Sequence, residues 1–415
     1  MSGNLASDRC DILFLLYPAH GHVTPSLAVI AELTRRGRRV SAFVSDDFAD
    51  AIDRVGATPL GFDPPISKPP SLAGMTAEEW GKHAHRIFLD VIRSTVSIEK
   101  TVAEERPGVV AFDSAMWAPG RVVTAKWDIP AIHLSPTCVV HEPFTPESMR
   151  IGEPDDEAER ARLIEFGEGL AALFEDNGLP GTTPGHFPAR AGEHTIVYVP
   201  REFQPEGDGF GTRYTFAGPC LRPSGSTPDW TPPAHDSPVL LLSLGTTSND
   251  RLDLFRDCVD AFAESPWHVV ITLGGRFDPS ALGRLPSNVE AHGWIRHPDV
   301  LAHASAYVSQ AGMGSIMEAL AFGVPIVAVP SHPEAIANSR RLAELGLGRH
   351  IDADSVTGAA VRAAVEAVAG DGETADRLLW MRRSIERAGG ARVAADVIDR
   401  TLLAHRPATD MEDSS

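Results

Sequence analysis

Positive charge, paired cysteines and long apolar runs are all scarce in this 415-residue chain. Lys and Arg number 37 against 56 Asp and Glu, a formal net charge of −19. A general nucleic-acid binder needs a basic face to displace phosphate counterions, so that class is excluded. Docking on anionic lipid is excluded for the same reason. The negative surplus repels anions at long range, so a phosphate-bearing ligand has to be caught by local dipoles. The four cysteines, 10, 138, 220 and 258, form no CxxC pair and meet no clustered histidines. Four free thiols in a reducing compartment and no metal site are therefore expected. No segment approaches the roughly 18 apolar residues of a membrane span. The run Ile12–Tyr17 is short, follows Asp8, Arg9 and Asp11, and lacks a basic leader. A soluble, cytoplasmic protein without a signal peptide is the expectation.

What is present suits a large globular chain. At about 150 residues per domain the length predicts two to three domains, and 43% hydrophobic with 22% charged residues supplies ample core. Short apolar runs alternate with helical stretches, the pattern of parallel α/β layers. In the first half the runs are Ile12–Tyr17, Val40–Val44, Val109–Phe112 and Ala131–Leu134. A helix is predicted to begin near Pro25, in its first turn, and to end in basic residues before Gly37. A charged amphipathic helix is predicted over 155–174. From Pro205 to Pro238 the chain turns rich in Gly, Pro, Ser and Thr, with Trp230 and the Pro232-Pro233 pair marking the stiff end of a linker. The alternation then restarts with Val239–Leu244, His268–Leu273, Ala306–Ser309 and Ile326–Val329. These breaks predict a first domain over 1–212, a linker over 213–238, a second domain over 239–388, a closing helix over 389–406 and a disordered tail over 407–415. Two such halves imply a cleft faced by the carboxyl ends of the strands.

Three strand-to-helix turns carry candidate chemistry. His20, in Ala19-His-Gly-His-Val-Thr-Pro25, follows the first strand and suits a general base near neutral pH; capping the turn is the alternative. Asp113 closes the run from Val109 and could orient such an imidazole, or equally cap the next helix. Ser309-Gln-Ala-Gly-Met-Gly-Ser-Ile-Met-Glu318 enters a helix through small residues, so backbone N–H groups at Gly312, Met313, Gly314 and Ser315 could close on a diphosphate. The alternative is a plain glycine-rich turn, and it is neither GxGxxG nor a P-loop. Asp352-Ala-Asp354 spells a DxD, but Asp354 is more simply a helix cap.

The chain resembles the UDP-glycosyltransferase superfamily with the GT-B fold, nearest to actinobacterial macrolide glycosyltransferases. The likeness rests on the HGHVTP turn, Ser243-Leu-Gly-Thr246, His292-Gly-Trp294, and Ala311-Gly-Met-Gly-Ser-Ile-Met-Glu-Ala-Leu followed by Gly323-Val-Pro325. Leu134-Ser-Pro-Thr137, Tyr214 to Pro219 and Glu386 to Asp396 extend it over nearly the whole chain. The resemblance implies two Rossmann-like α/β domains facing across a cleft, with the last helix crossing back. It implies inverting, metal-independent transfer of a hexose from a nucleotide sugar to a hydroxyl of an apolar natural product. UDP-glucose is the first donor to consider and a dTDP-deoxysugar the alternative; the sugar nucleotide is a co-substrate and no cofactor is expected. By the resemblance His20 would be the base and Asp113 its orienter. Trp294 would stack on the nucleobase and the backbone of Ile295 read its edge. Glu318 would bind the ribose, Ser243, Thr246 and Gln310 would lie near the diphosphate, and Glu334 would hold sugar hydroxyls. Three departures stand out: Gln310 replaces the usual histidine, Arg296-His297 the usual Pro-Gln, and Ala335 the usual amide beside Glu334. They motivate a second reading from another class, a catalytically weak scaffold that only binds.

Overall fold

The computed structural model describes residues 10–66, 77–139, 157–178, 193–221, 228, 230–234, 236–245, 250–352 and 355–405. Its strands are β1 (Ile12–Leu15), β2 (Val40–Val44), β3 (Thr58–Gly61), β4 (Val109–Asp113), β5 (Ala131–Ser135), β6 (His194–Val197), β7 (Tyr214–Phe216), β8 (Val239–Ser243), β9 (His268–Thr272), β10 (Val289–His292), β11 (Ala304–Ser309), β12 (Ile326–Ala328) and β13 (Gly348–His350). The helices are α1 (His20–Arg35), α2 (Asp46–Asp53), α3 (Ala77–Glu104), α4 (Trp117–Lys126), α5 (Glu157–Asp176), α6 (Leu252–Phe262), α7 (His297–Leu301), α8 (Met313–Phe322), α9 (Pro333–Glu344), α10 (Gly358–Ala369), α11 (Gly372–Ala388) and α12 (Gly390–Ala404).

The strands form two wholly parallel sheets, ordered β3-β2-β1-β4-β5-β6-β7 and β10-β9-β8-β11-β12-β13. In each, the strand order reverses at one seam, β1/β4 in the first and β8/β11 in the second. Such a seam opens a crevice at the carboxyl ends of its strands, the usual place for a ligand. The long apolar runs read as they do because parallel sheets are covered on both faces. Phe14 and Leu16 pack against Val29 and Ile30 of α1, while Leu15 and Phe112 face Val122 and Val123 of α4. In the second sheet Leu240 and Leu242 meet Phe255 and Phe262 of α6, and Leu241 meets the layer of Ile316 and Leu320 of α8.

Five strands lie outside the eight predicted runs: β3, β6, β7, β10 and β13. Four of them are sheet edges, where three or four residues suffice and a Pro59 or a glycine is tolerated. β7 moves the predicted linker boundary, since Thr215 pairs with Ile196 and keeps residues 214–216 in the first sheet. Trp230, expected at the end of a free linker, is buried and donates from Nε1 to Glu290 at 2.6 Å. It belongs to an apolar layer that runs from Val197, Phe203 and Phe216 into the second domain, so the two halves share part of a core.

The closing helix crosses back as expected. Ala395, Ile398 and Leu402 of α12 join the core beneath α1. Arg36 pairs with Asp396 at 2.8 Å and with Asp399 at 2.9 Å, and Arg38 reaches Asp399 at 2.7 Å. The predicted tail over 407–415 lies outside the described residues. Among the described residues no helix is long and apolar enough to cross a membrane.

Candidate active site

Helix α1 begins earlier than its proline signals. It starts at His20, with the backbone N–H groups of His22 and Val23 bonding to the carbonyl of Ala19 at 3.0 and 2.9 Å. Pro25 therefore sits inside the helix rather than in its first turn, and both histidines are helical. Residues two apart on a helix are turned about 200° from each other and do not share a face. The sequence therefore offers two imidazoles, and the backbone sends them to different places.

His22 meets Asp113; His20 does not. The pairing expected for His20 falls to His22, whose Nδ1 lies 2.9 and 3.0 Å from the two carboxylate oxygens. A carboxylate only accepts, so Nδ1 carries the proton and Nε2 keeps its lone pair. Asp113 ends β4 beside the end of β1, with its side chain 2% exposed, while that of His22 stays 29% exposed. Both readings of Asp113 hold at once, since the same carboxylate accepts from the backbone N–H of Ala115 at 2.8 Å and caps a short turn. Burial opposes charge on His22, but the charge and hydrogen bond of Asp113, with Glu334 adding to them, raise its pKa above 6.5. Tyr17 supports the ring edge-on at 5.2 Å between centroids.

His20 points elsewhere. Its ring lies 5.0 Å from that of Phe48 and 5.3 Å from that of Trp294 in the second domain. Desolvation lowers its pKa against the opposing pull of Asp47.

The second seam ends in two buried serines and an uncapped helix start. Ser243 and Ser309 are paired neighbours at the ends of β8 and β11, and both are buried. Their hydroxyl oxygens accept from the N–H groups of Gly245 at 3.2 Å and Ala311 at 3.1 Å, bending both chains as they leave the sheet. Ala311 is held at φ +66, a left-handed conformation unfavourable for a residue with a Cβ, and its carbonyl accepts from the buried amide of Asn338 at 3.2 Å. Gly312 then opens α8 without any side-chain cap, which leaves the first N–H groups of the helix for another acceptor.

The remaining predicted residues divide by position. Gln310 is only 6% exposed, and its Oε1 is buried with no hydrogen-bond partner among the described residues. Its Nε2 faces the gap between Gly245 and Gly312, 2.7 and 3.8 Å from where side-chain carbons would stand at those glycines. Met313 and Ile295 turn their side chains into the core, so only their backbones are available to a ligand. Trp294 is 57% exposed. Glu318 lies 3.5 Å from Nδ1 of His297, the residue that departs from the resembling family's glutamine. Glu334 opens α9 and accepts across the cleft from the Thr137 hydroxyl at 3.2 Å. Thr246 and Asp354 fall outside the described residues; Asp352 pairs with His350 at 2.9 Å. Ala335 is fully buried, so the missing amide does not leave an open socket. Sequence reasoning missed that His22 meets Asp113, that Thr137 reaches Glu334 and that Gly245 borders Gln310; helical spacing after Ala19 separates the two imidazoles but does not tell which of them faces Asp113.

Comparison with known proteins decides the family. The chain is 35% identical over 407 residues to demethyllactenocin mycarosyltransferase of Streptomyces fradiae, covering 94% of this chain and 86% of that one. The chain is a GT-B glycosyltransferase. Erythromycin biosynthesis protein CIII-like, C-terminal domain, is the family description that matches residues 256–388. Oleandomycin glycosyltransferase of Streptomyces antibioticus is 33% identical over 399 residues, covering 93% of this transferase and 89% of its own length. The crystal structure of CalG4, the calicheamicin glycosyltransferase, superposes with a TM-score of 0.80 at 34% identity, covering 97% of this chain and all of that one. The two sheets with their facing seams are thus the GT-B arrangement.

Proposed function

We propose that this glycosyltransferase moves a hexose, with inversion and without a metal ion or cofactor, from a nucleoside diphosphate sugar to a hydroxyl of a macrolide or similar apolar natural product. The observation that carries the reading is the His22–Asp113 pair on one lip of the cleft, opposed by the uncapped N-terminus of α8 on the other. His22, in place of His20, is the base. Its Nε2 takes the proton of the acceptor hydroxyl as that oxygen bonds to the anomeric carbon and the carbon–oxygen bond to the diphosphate breaks. Asp113 holds the tautomer and balances the imidazolium. The departing diphosphate gains its negative charge beside the N–H groups of α8 and the amide of Gln310, in a protein whose overall charge would otherwise repel it. Trp294 carries the nucleobase, and Glu318 with His297 the ribose. Glu334 binds sugar hydroxyls.

Two of the relatives, the demethyllactenocin mycarosyltransferase and the oleandomycin glycosyltransferase of Streptomyces, support the acceptor class. UDP-glucose is the first donor to test and a dTDP-deoxyhexose the second. The experiment incubates the protein with each donor and a macrolide, then follows released nucleoside diphosphate, product mass and the anomeric coupling in the product. A β-linked product from an α-linked donor, formed equally with and without chelator, is expected. Retained configuration, or activity abolished by chelator and restored by Mg²⁺, overturns the mechanism.

A further inference from the structure

His20 is a histidine at the mouth of the cleft that the proposed chemistry leaves without a task. It is exposed, as is Trp294, and the two rings approach to 5.3 Å at an interplanar angle of 37° although they belong to different domains. Phe48, buried at the start of α2, meets the His20 ring edge-on and fixes it from behind. The depressed pKa of His20 keeps the ring neutral at neutral pH, so it presents an uncharged aromatic face. Nothing in the first domain's catalytic pair needs this ring, because His22 holds Asp113.

We infer that His20 and Trp294 form the two walls of a slot for a flat heterocycle, with the nucleobase of the donor entering between them. The inference rests on the proposed nucleotide site and adds to it a wall contributed by the other domain. A ring stacked on both sides needs a centroid separation of about 7 Å, two layers of aromatic contact. The observed 5.3 Å therefore widens by about 2 Å on loading, a small opening between the domains. His20 is then a positioning residue for the donor. Stacking has no hydrogen-bond code, so the slot accepts uracil and thymine alike and leaves their discrimination to other contacts.

The test is calorimetric titration of UDP and of dTDP into the wild type and into His20→Ala, His20→Phe and Trp294→Ala, with folding of each variant checked by its thermal transition. Loss of a stacking partner is expected to weaken both nucleotides, about five- to tenfold for His20→Ala and more for Trp294→Ala. His20→Phe restores affinity, because it keeps the flat wall and loses only the ring nitrogens. Steady-state assays should show the His20→Ala loss in donor KM, with the acid limb of the pH profile unmoved. Unchanged or tighter nucleotide binding by His20→Ala overturns the slot; tighter binding would mean that His20 competes for Trp294 instead of sharing the base. If Trp294→Ala also binds as the wild type does, the nucleotide site itself is misplaced, an outcome distinct from failure of His20 alone.

Discussion

The two domains solve the same construction problem and put opposite chemistry on it. Each has a seam where strand order reverses, and at each seam a strand runs directly into a helix that starts without a side-chain cap: β1 into α1 at Ala19, and β11 into α8 at Gly312. On the first, the helix brings an imidazole against a buried carboxylate, which makes a proton acceptor. On the second, small residues keep the helix N-terminus bare, which suits the anion acceptor proposed above. A shared backbone device therefore does not dictate function; the side chains within one turn of the helix start do.

The sharpest way to break the comparison is to remove the base from the first seam. His22→Ala should lower kcat on the order of 10²–10⁴-fold, the usual share of a general base. His20→Ala should act on donor KM instead. If the two variants exchange these phenotypes in steady-state assays, the assignment by geometry is wrong. Next in size is Asp113→Asn, expected to cost roughly tenfold to 10³-fold on the pH plateau, because an amide no longer holds the right tautomer. It also carries a signed pH effect. The raised pKa of His22 places the acid limb of kcat/KM above pH 6.5 in the wild type, with activity falling as pH drops through it. Without the carboxylate, burial acts with little opposition and the limb moves to lower pH. The corresponding stabilisation of the fold is present below the unfolded pKa near 6.5 and is lost as pH rises through the raised folded value. The difference in Tm between wild type and Asp113→Asn should therefore shrink as pH rises.

On the second seam, Gly245→Ala should raise donor KM by about three- to tenfold. The new carbon would stand 2.7 Å from Nε2 of Gln310, on a backbone whose φ of +75 costs a residue with a Cβ about 1–2 kcal/mol. Donor titration with a Tm control separates a closed slot from lost stability. The smallest effect belongs to the contact joining the two lips. Thr137→Val removes the hydrogen bond to Glu334, worth about 0.5 kcal/mol where solvent competes, and a change in donor KM of about two- to threefold is expected. A loss near that of His22→Ala would show that Glu334 depends on Thr137 for its position.

Much of this was legible beforehand. Buried parallel strands are apolar on both faces, so β1, β2, β4, β5, β8, β9, β11 and β12 announce themselves as short runs. The edge strands do not, because half their backbone partners are absent and Pro59 or Gly348 can serve there. Asp113 and the open turn at Gly312–Ser315 were readable as candidates because each follows a strand end, and Trp294 and Glu318 because each falls in a motif that resembles the family's. The identity of the orienter's partner was not readable from residue type, since His20 and His22 are chemically the same and only one residue separates them.

By itself, then, the sequence determined two parallel α/β halves, an acid-rich composition, and candidate polar and small residues at the strand ends. It did so because burial imposes periodicity and turns demand particular residues, both of which are local rules. The tertiary structure alone decided that His22 meets Asp113 while His20 meets Trp294. It also decided that Glu334 reaches Thr137, that Trp230 is locked into a shared core, and that Ala335 is covered. Each is a contact between segments far apart in the chain, set by how two domains and a returning helix pack, and no spacing within a single segment encodes it.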